Sequence, residues 1–160
     1  MVKDIKVSTP TGHCLFCDDI RHEINGKFSL IGNYGSDLRP FTSFPLVLPK
    51  LCVYLSYFQR PVDGFQDVKF EIVLNSKETN TTVWEILVQG SSLENAPRPE
   101  ATDEQADPVI GIHVPLEFQN FVINETGYLR VYAQRGDERM RIGSLKIEQP
   151  TTPQDAKPIN

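Results

Sequence analysis

Between residues 65 and 74 apolar and charged side chains alternate: Val68, Phe70, Ile72 and Leu74 fall on one parity, Asp67, Lys69 and Glu71 on the other. A period of two gathers the apolar groups on one face of a strand, whereas a helix would scatter them, so the stretch reads as a half-buried strand. Residues 83–89 repeat the pattern with Trp84, Ile86 and Val88 inward, and the intervening NSKETNTT is turn chemistry, which predicts an antiparallel hairpin. Residues 51–58 are apolar or aromatic on both parities except at Ser56, as a strand covered on both faces would be. This run is the expected centre of the fold.

Two further hairpins follow from turn residues. Near the end, Gly136-Asp137 fits a type II′ turn that pairs Arg135 with Glu138, places Ala133 opposite Met140 and Val131 opposite Ile142, and points all four of these apolar residues inward. Past Ile142 the apolar parity shifts to Leu145 and Ile147, which predicts a β-bulge beside Gly143-Ser144. Near the start, Asn25-Gly26 supplies positive φ. A two-residue loop there would mix apolar and charged groups on both faces, so a three-residue loop is expected. That register puts Phe16, Ile20, Ile24, Phe28, Leu30 and Tyr34 on one face and Cys17, Asp19, Arg21 and Lys27 on the other.

The rest is connection. Residues 35–49 hold Pro40, Pro45 and Pro49 and read as a wandering or edge segment. Residues 109–118 read as a strand interrupted by Pro115, with Ile110, Ile112 and Val114 on one side. Residues 90–108 are polar, with five acidic residues against Arg98, so four of the five net negative charges of the chain sit there. Without apolar anchors this acidic loop is expected to be disordered or to serve as an arm. The expected organisation is a lead over 1–12, a domain over 13–149 and a proline-rich flexible tail over 150–160. Short strands, proline-rich connections and no significant helix predict an all-β fold, a single antiparallel β-sandwich of the two-sheet kind seen in Ig-like and C2-like domains.

Charge and composition narrow the function. Sixteen basic against 21 acidic residues leave −5, and nonspecific nucleic-acid or anionic-membrane binding needs the opposite field. No apolar run approaches the roughly 20 residues that span a bilayer, and residues 1–12 show no apolar leader. Three cysteines, an odd count, make no disulfide framework and suit a reducing cytoplasm.

His13, Cys14, Cys17 and His22 have the residue types of a zinc site, but Cys14 and Cys17, three apart on a strand, point to opposite faces. Buried core or interface cysteines are expected instead, and no metal or cofactor is inferred. Asp19 and Arg21 share a strand face and are expected to pair as ions. No serine elbow, phosphate loop or zinc-protease motif occurs, so no catalytic residue and no small-molecule substrate are assigned. An enzyme would need His22 or His113 beside a cysteine or an acid in a pocket. Arg135-Gly136-Asp137 is explained by the turn it forms. The outward face of the last hairpin is the partner-binding candidate: Tyr128, Arg130, Tyr132, Arg139 and Arg141, with Tyr132 opposite Arg141. Tyrosine and arginine are enriched at binding hot spots, each offering a stackable surface with a polar end.

The runs CDDIR at Cys17 to Arg21, GKFSLIG at Gly26 to Gly32 and LPKL at Leu48 to Leu51 resemble an uncharacterised family of bacterial domains, a likeness that extends over about residues 13–149. The resemblance implies a β-sandwich and brings no established activity, ligand or catalytic residue. The expected function is a non-catalytic interaction module that works by protein–protein contact. The alternative is self-assembly, as a structural or accessory component of a larger assembly such as a phage virion. Metal-binding protein and enzyme are the remaining readings.

Overall fold

The computed structural model describes residues 9–97 and 108–151. Its strands are β1 (Thr11–Cys17), β2 (Asp19–His22), β3 (Phe28–Ile31), β4 (Asp37–Leu38), β5 (Leu46–Gln59), β6 (Val68–Ser76), β7 (Asn80–Val88), β8 (Ile110–Ile123), β9 (Gly127–Arg135) and β10 (Glu138–Ile147). Helix among the described residues amounts to α1 (Gly90–Glu94) and two 3-10 turns, Ile24–Gly26 and Pro61–Asp63. The strands form three sheets, ordered β1-β5-β8, β4-β10-β9-β6-β7 and β2-β3. All pairings are antiparallel except that of β4 with β10. The architecture is all-β, as the alternating patterns require.

One buried core draws on both larger sheets. Leu51, Val53, Leu55 and Tyr57 of β5 meet Val68, Phe70 and Ile72 of β6, Leu129 and Val131 of β9, and Leu145 and Ile147 of β10. Burying each such side chain contributes roughly 1.5–3 kcal/mol. The other parity of β5 is covered too: Cys52 is fully buried with Cys17 and Ile20, and Phe28, Leu30 and Tyr54 pack around them. The β2–β3 hairpin supplies Ile20, Phe28 and Leu30 to that cover, so residues 51–58 are apolar on both parities because both faces of β5 are indeed covered.

The two outer hairpins keep their expected turns. In β2–β3, Ile20 pairs with Leu30 and His22 with Phe28, and the Glu23 N–H donates to the Lys27 carbonyl at 2.8 Å, leaving Ile24–Gly26 as a three-residue loop in which Asn25 and Gly26 take φ of 66° and 71°. In β9–β10, Arg135 pairs with Glu138 and Met140 with Ala133, while Gly136 has φ of 57°. The bulge is present but one residue early, between Arg141 and Gly143, so Val131 opposes Gly143 rather than Ile142. Packing accounts for the position. A Cβ on Gly143 would overlap the Cys14 Sγ, so glycine at the bulge leaves room for the Cys14 side chain where β1 packs on β10.

Other expectations are corrected. The first strand breaks at Asp18, whose N–H donates to the Ile31 carbonyl at 3.0 Å and whose carboxylate accepts from the Tyr34 hydroxyl. Phe16 therefore enters the main core while Ile20 enters the second cluster, where Cys17 is buried, as expected of a core cysteine, although its parity placed it on the polar face. Ile24 is 83% exposed at the loop tip, because the third loop residue takes it off the strand. β1 begins at Thr11, inside the expected lead. Residues 35–49 hold an edge segment, as one of the two expectations had it, since β4 joins β10 at the edge of the five-stranded sheet, but β5 already starts at Leu46. Pro49 fits there because β1 pairs with β5 only from Cys52 onward, and Asn120, opposite it, turns out of the ladder with φ of 50°. β8 continues to Ile123 and carries Pro115 as an edge strand. Ile86 has inward parity on the edge strand β7 yet is 42% exposed.

The acidic loop has an apolar anchor after all. It opens with α1, whose Leu93 is buried in the main core, and Gly90 donates its N–H to Asp67 at 2.8 Å. Its residues 98–107, like residues 152–160 of the tail, lie outside the described residues, and with them the expectations of disorder.

Candidate functional site

β9 lies inside the five-stranded sheet, between β10 and β6, so each of its outward residues has a neighbour on both sides. Tyr132 stands between Arg141 and Glu71, Arg130 between Ser144 and Val73, and Tyr128 between Lys146 and Asn75. The five residues singled out from the sequence are thus brought together on one face. Arg139 lies over the Tyr132 ring, 3.8 Å from its centroid, and its Nη2 is 2.9 Å from Glu71 Oε2. Arg130 lies over Tyr128 at 4.7 Å. Such contacts contribute about 0.5–1 kcal/mol at exposed sites.

Glu71 is the residue that sequence reasoning missed. Lys69 Nζ is 2.7 Å from its carboxylate and 2.8 Å from that of Glu85. The Lys69 hydrogen bond, with that of Arg139, holds the Glu71 carboxyl below its ordinary range against the opposing effect of burial. Parity alone marks Glu71 as outward. That it lies beside Tyr132 depends on β6 pairing with β9 across some 60 intervening residues, and no local signal reports that.

The three arginines therefore differ. Arg139 is neutralised by Glu71, whereas the guanidinium groups of Arg130 and Arg141 have no ion pair or hydrogen bond among the described residues. The Nε of Arg130 is buried without a hydrogen-bond partner. Arg130 and Tyr128 line a cleft of about 510 Å³ at one end of the face, together with Asn75, Lys77, Lys146 and Glu148.

The possible metal set is dispersed. His13 stacks on Phe58 on the outer face of the three-stranded sheet, with ring centroids 6.1 Å apart, and His22 meets Phe28 edge-on at 5.0 Å. Cys14 points inward against Gly143, and Cys17 faces Ile20 and Cys52. Burial pushes the Cys14 thiol up to about 12 and the Cys17 thiol to about 11, leaving both protonated at neutral pH. Among the described residues no three histidine, cysteine or acidic groups are placed to share a metal.

His113 does line a cleft, of about 560 Å³, with Phe28, Leu30 and Tyr54. Its Nδ1 is 3.0 Å from Ser56 Oγ and 3.3 Å from the Tyr54 hydroxyl, so its neighbours there are hydroxyls rather than a cysteine or an acid. Asp19 pairs with Arg21 at 3.5 Å as expected, and also with Lys50, which reaches Glu117 at 2.9 Å. This bridge ties the β2–β3 hairpin to β5 and β8. Arg135 of the Arg-Gly-Asp tripeptide donates to the carbonyls of Asp63 and Gly64, so its guanidinium is turned back onto the chain.

Among the described residues no helix is long and apolar enough to cross a membrane. No curated protein and no solved structure matches the chain. The family of unknown function DUF6941 matches residues 13–148, which takes in every strand from β2 to β10 and most of β1, and the chain belongs to that family.

Proposed function

We propose that this chain is a non-catalytic β-sandwich, with the three-stranded and five-stranded sheets as its two layers, that acts as an interaction module by binding a protein on the outer face of β9 and β10. One observation carries the reading: of the three arginines on that face only Arg139 is paired among the described residues, while Arg130 and Arg141 stand beside the rings of Tyr128 and Tyr132. An unpaired guanidinium next to a flat ring offers a partner both a charge and a stacking surface. The core shared by the two larger sheets supports the layered reading. The three free thiols suit a reducing, cytoplasmic setting.

A second reading, a component of a larger assembly built from copies of this chain, is favoured by the β7 edge. Ile86 is 42% and Leu87 57% exposed on a strand paired on one side only, and Asn80–Val88 contains neither proline nor lysine to discourage a further strand.

A photo-crosslinking side chain placed at Tyr132, and in a second variant at Leu87, tests both in the native host, with light scattering of the purified chain at several concentrations. A protein adduct of defined mass from position 132 that Arg141→Glu removes supports the interaction module. Adducts between copies from position 87, with a mass that rises with concentration, support the assembly. No adduct from 132, or one indifferent to Arg141→Glu, sinks the first reading.

A further inference from the structure

The cleft at the Tyr128 end of the face has chemistry that the face as a whole does not. Its cations are Arg130, Lys77 and Lys146, and its one acid, Glu148, is held by Lys146 at 2.6 Å. That pairing leaves Arg130 as the cation that is both half-buried and unpaired. The Tyr128 ring covers one side of its guanidinium, which leaves the in-plane N–H groups as its means of contact. A guanidinium edge presents two parallel donors, the geometry that a carboxylate accepts.

A second orphan lies in the same cleft. Asn75 donates its Nδ2 to Asn80 Oδ1 at 2.7 Å, but its own Oδ1 is buried without a hydrogen-bond partner among the described residues. Asn75 is the register partner of Tyr128, two residue pairs along the sheet from the Val73–Arg130 pair and the next pair on the same face. The cleft is thus lined by one residue with an unsatisfied donor and one with an unsatisfied acceptor, on successive outward pairs of β6 and β9, and leaving such groups unmet when buried is costly. A simple anion would answer Arg130 alone. A peptide answers both, with an acidic side chain on Arg130 and a backbone N–H on Asn75.

We infer that this cleft binds an acidic residue within a peptide segment of the protein partner, the carboxylate being held by the Arg130 guanidinium and the adjoining backbone N–H by Asn75 Oδ1. The inference rests on the reading of the β9–β10 face as a protein-binding surface and names the chemical group recognised at one end of it. A phosphate is a poorer match, because Asn75 Oδ1 would face a further acceptor.

The test is an NMR titration of the full chain, following the Arg130 Nε–H and the Asn75 side-chain amide. The probes are a blocked glycine pentapeptide with one central glutamate, the same peptide with glutamine, acetate and inorganic phosphate. The expected result is saturable shifts of both signals with the glutamate peptide and none with the glutamine peptide. Arg130→Gln should weaken the peptide by about tenfold or more, as loss of charge-assisted hydrogen bonds implies, with Arg130→Lys falling between. Asn75→Ala should weaken the peptide while leaving acetate unchanged, a readout that stands even if Arg130→Gln does not fold. Shifts that fail to saturate, affinity indifferent to Arg130, or phosphate binding more tightly than the glutamate peptide would each overturn the inference. Crosslinking from position 132 that persists while the titration fails would remove the acidic-peptide cleft alone. Peptide binding without that crosslink would remove the wider protein-binding face instead.

Discussion

On the three-stranded sheet, the outward Cys52 of β5 is fully buried and Tyr54 partly so, beneath Ile20, Phe28 and Leu30 of the β2–β3 hairpin. On the five-stranded sheet the outward positions of β9 hold Tyr128, Arg130 and Tyr132, covered chiefly by the side chains stacked among them. The difference follows from what each face would lose to water. Apolar area left exposed costs roughly 25 cal/mol per Å², enough to favour a hairpin folded across it. Guanidinium and phenol groups remain hydrated at their polar ends, so a Tyr/Arg face is stable without a cover and stays open to a partner. In the proposed reading the covered face serves stability and the open one contact, and substitutions at the two should behave differently.

The largest effect is expected on the covered side. Ile20→Ala removes a buried side chain from the second cluster and should lower the unfolding free energy by about 2–5 kcal/mol, measured by urea denaturation. A cost near that of a surface substitution would mean that the hairpin lies loosely on β5. Next comes the contact that joins β1 to β10. Gly143→Ala forces a methyl into the Cys14 side chain and should cost about 1–3 kcal/mol, with Cys14→Ala in the same chain recovering part of it. Without that recovery, Cys14 is not what requires glycine at this position.

The third prediction concerns pH. The folded state holds the Glu71 carboxyl below its unfolded value of about 4.5. The unfolded chain therefore binds the proton first as pH falls. The contribution of Glu71 is fully present above that value and is lost as pH drops through the lower folded value. Glu71→Gln should flatten this part of the stability–pH curve, and an unchanged slope would show that Lys69 and Arg139 do not act on Glu71 in solution. The smallest effect is on the open side: Arg141→Gln should leave unfolding stability within about 0.5 kcal/mol of wild type while reducing partner crosslinking. A large loss of stability would mean that Arg141 is a structural residue and that the face is less open than its side chains indicate.

Much of the fold was legible because its signals are local. Val68, Phe70 and Ile72 report their own parity, Asn25-Gly26 and Gly136-Asp137 report their turns, and the parity shift after Ile142 reports a bulge nearby. The errors arose where a contact distant in sequence overrode local pattern. Asp18 ends β1 because Tyr34 and the Ile31 carbonyl hold it, and Leu93 is buried because the main core has room for it. The candidate face was half legible. Its five residues could be grouped from one hairpin, but the neutralisation of Arg139 by Glu71 and the place of Asn75 beside Tyr128 follow from the pairing of β6 with β9.

The amino-acid sequence by itself therefore determined the alternating strands of the two later hairpins with their inward faces, the doubly covered run of β5, two hairpin turns and the grouping of tyrosine with arginine, because period and turn chemistry act over a few residues. Only the tertiary structure decided the order of strands in the sheets, the dispersal of His13, Cys14, Cys17 and His22, and which arginines stay unpaired. Those depend on which distant strands lie side by side, and strand pairing is settled by burial of the whole chain.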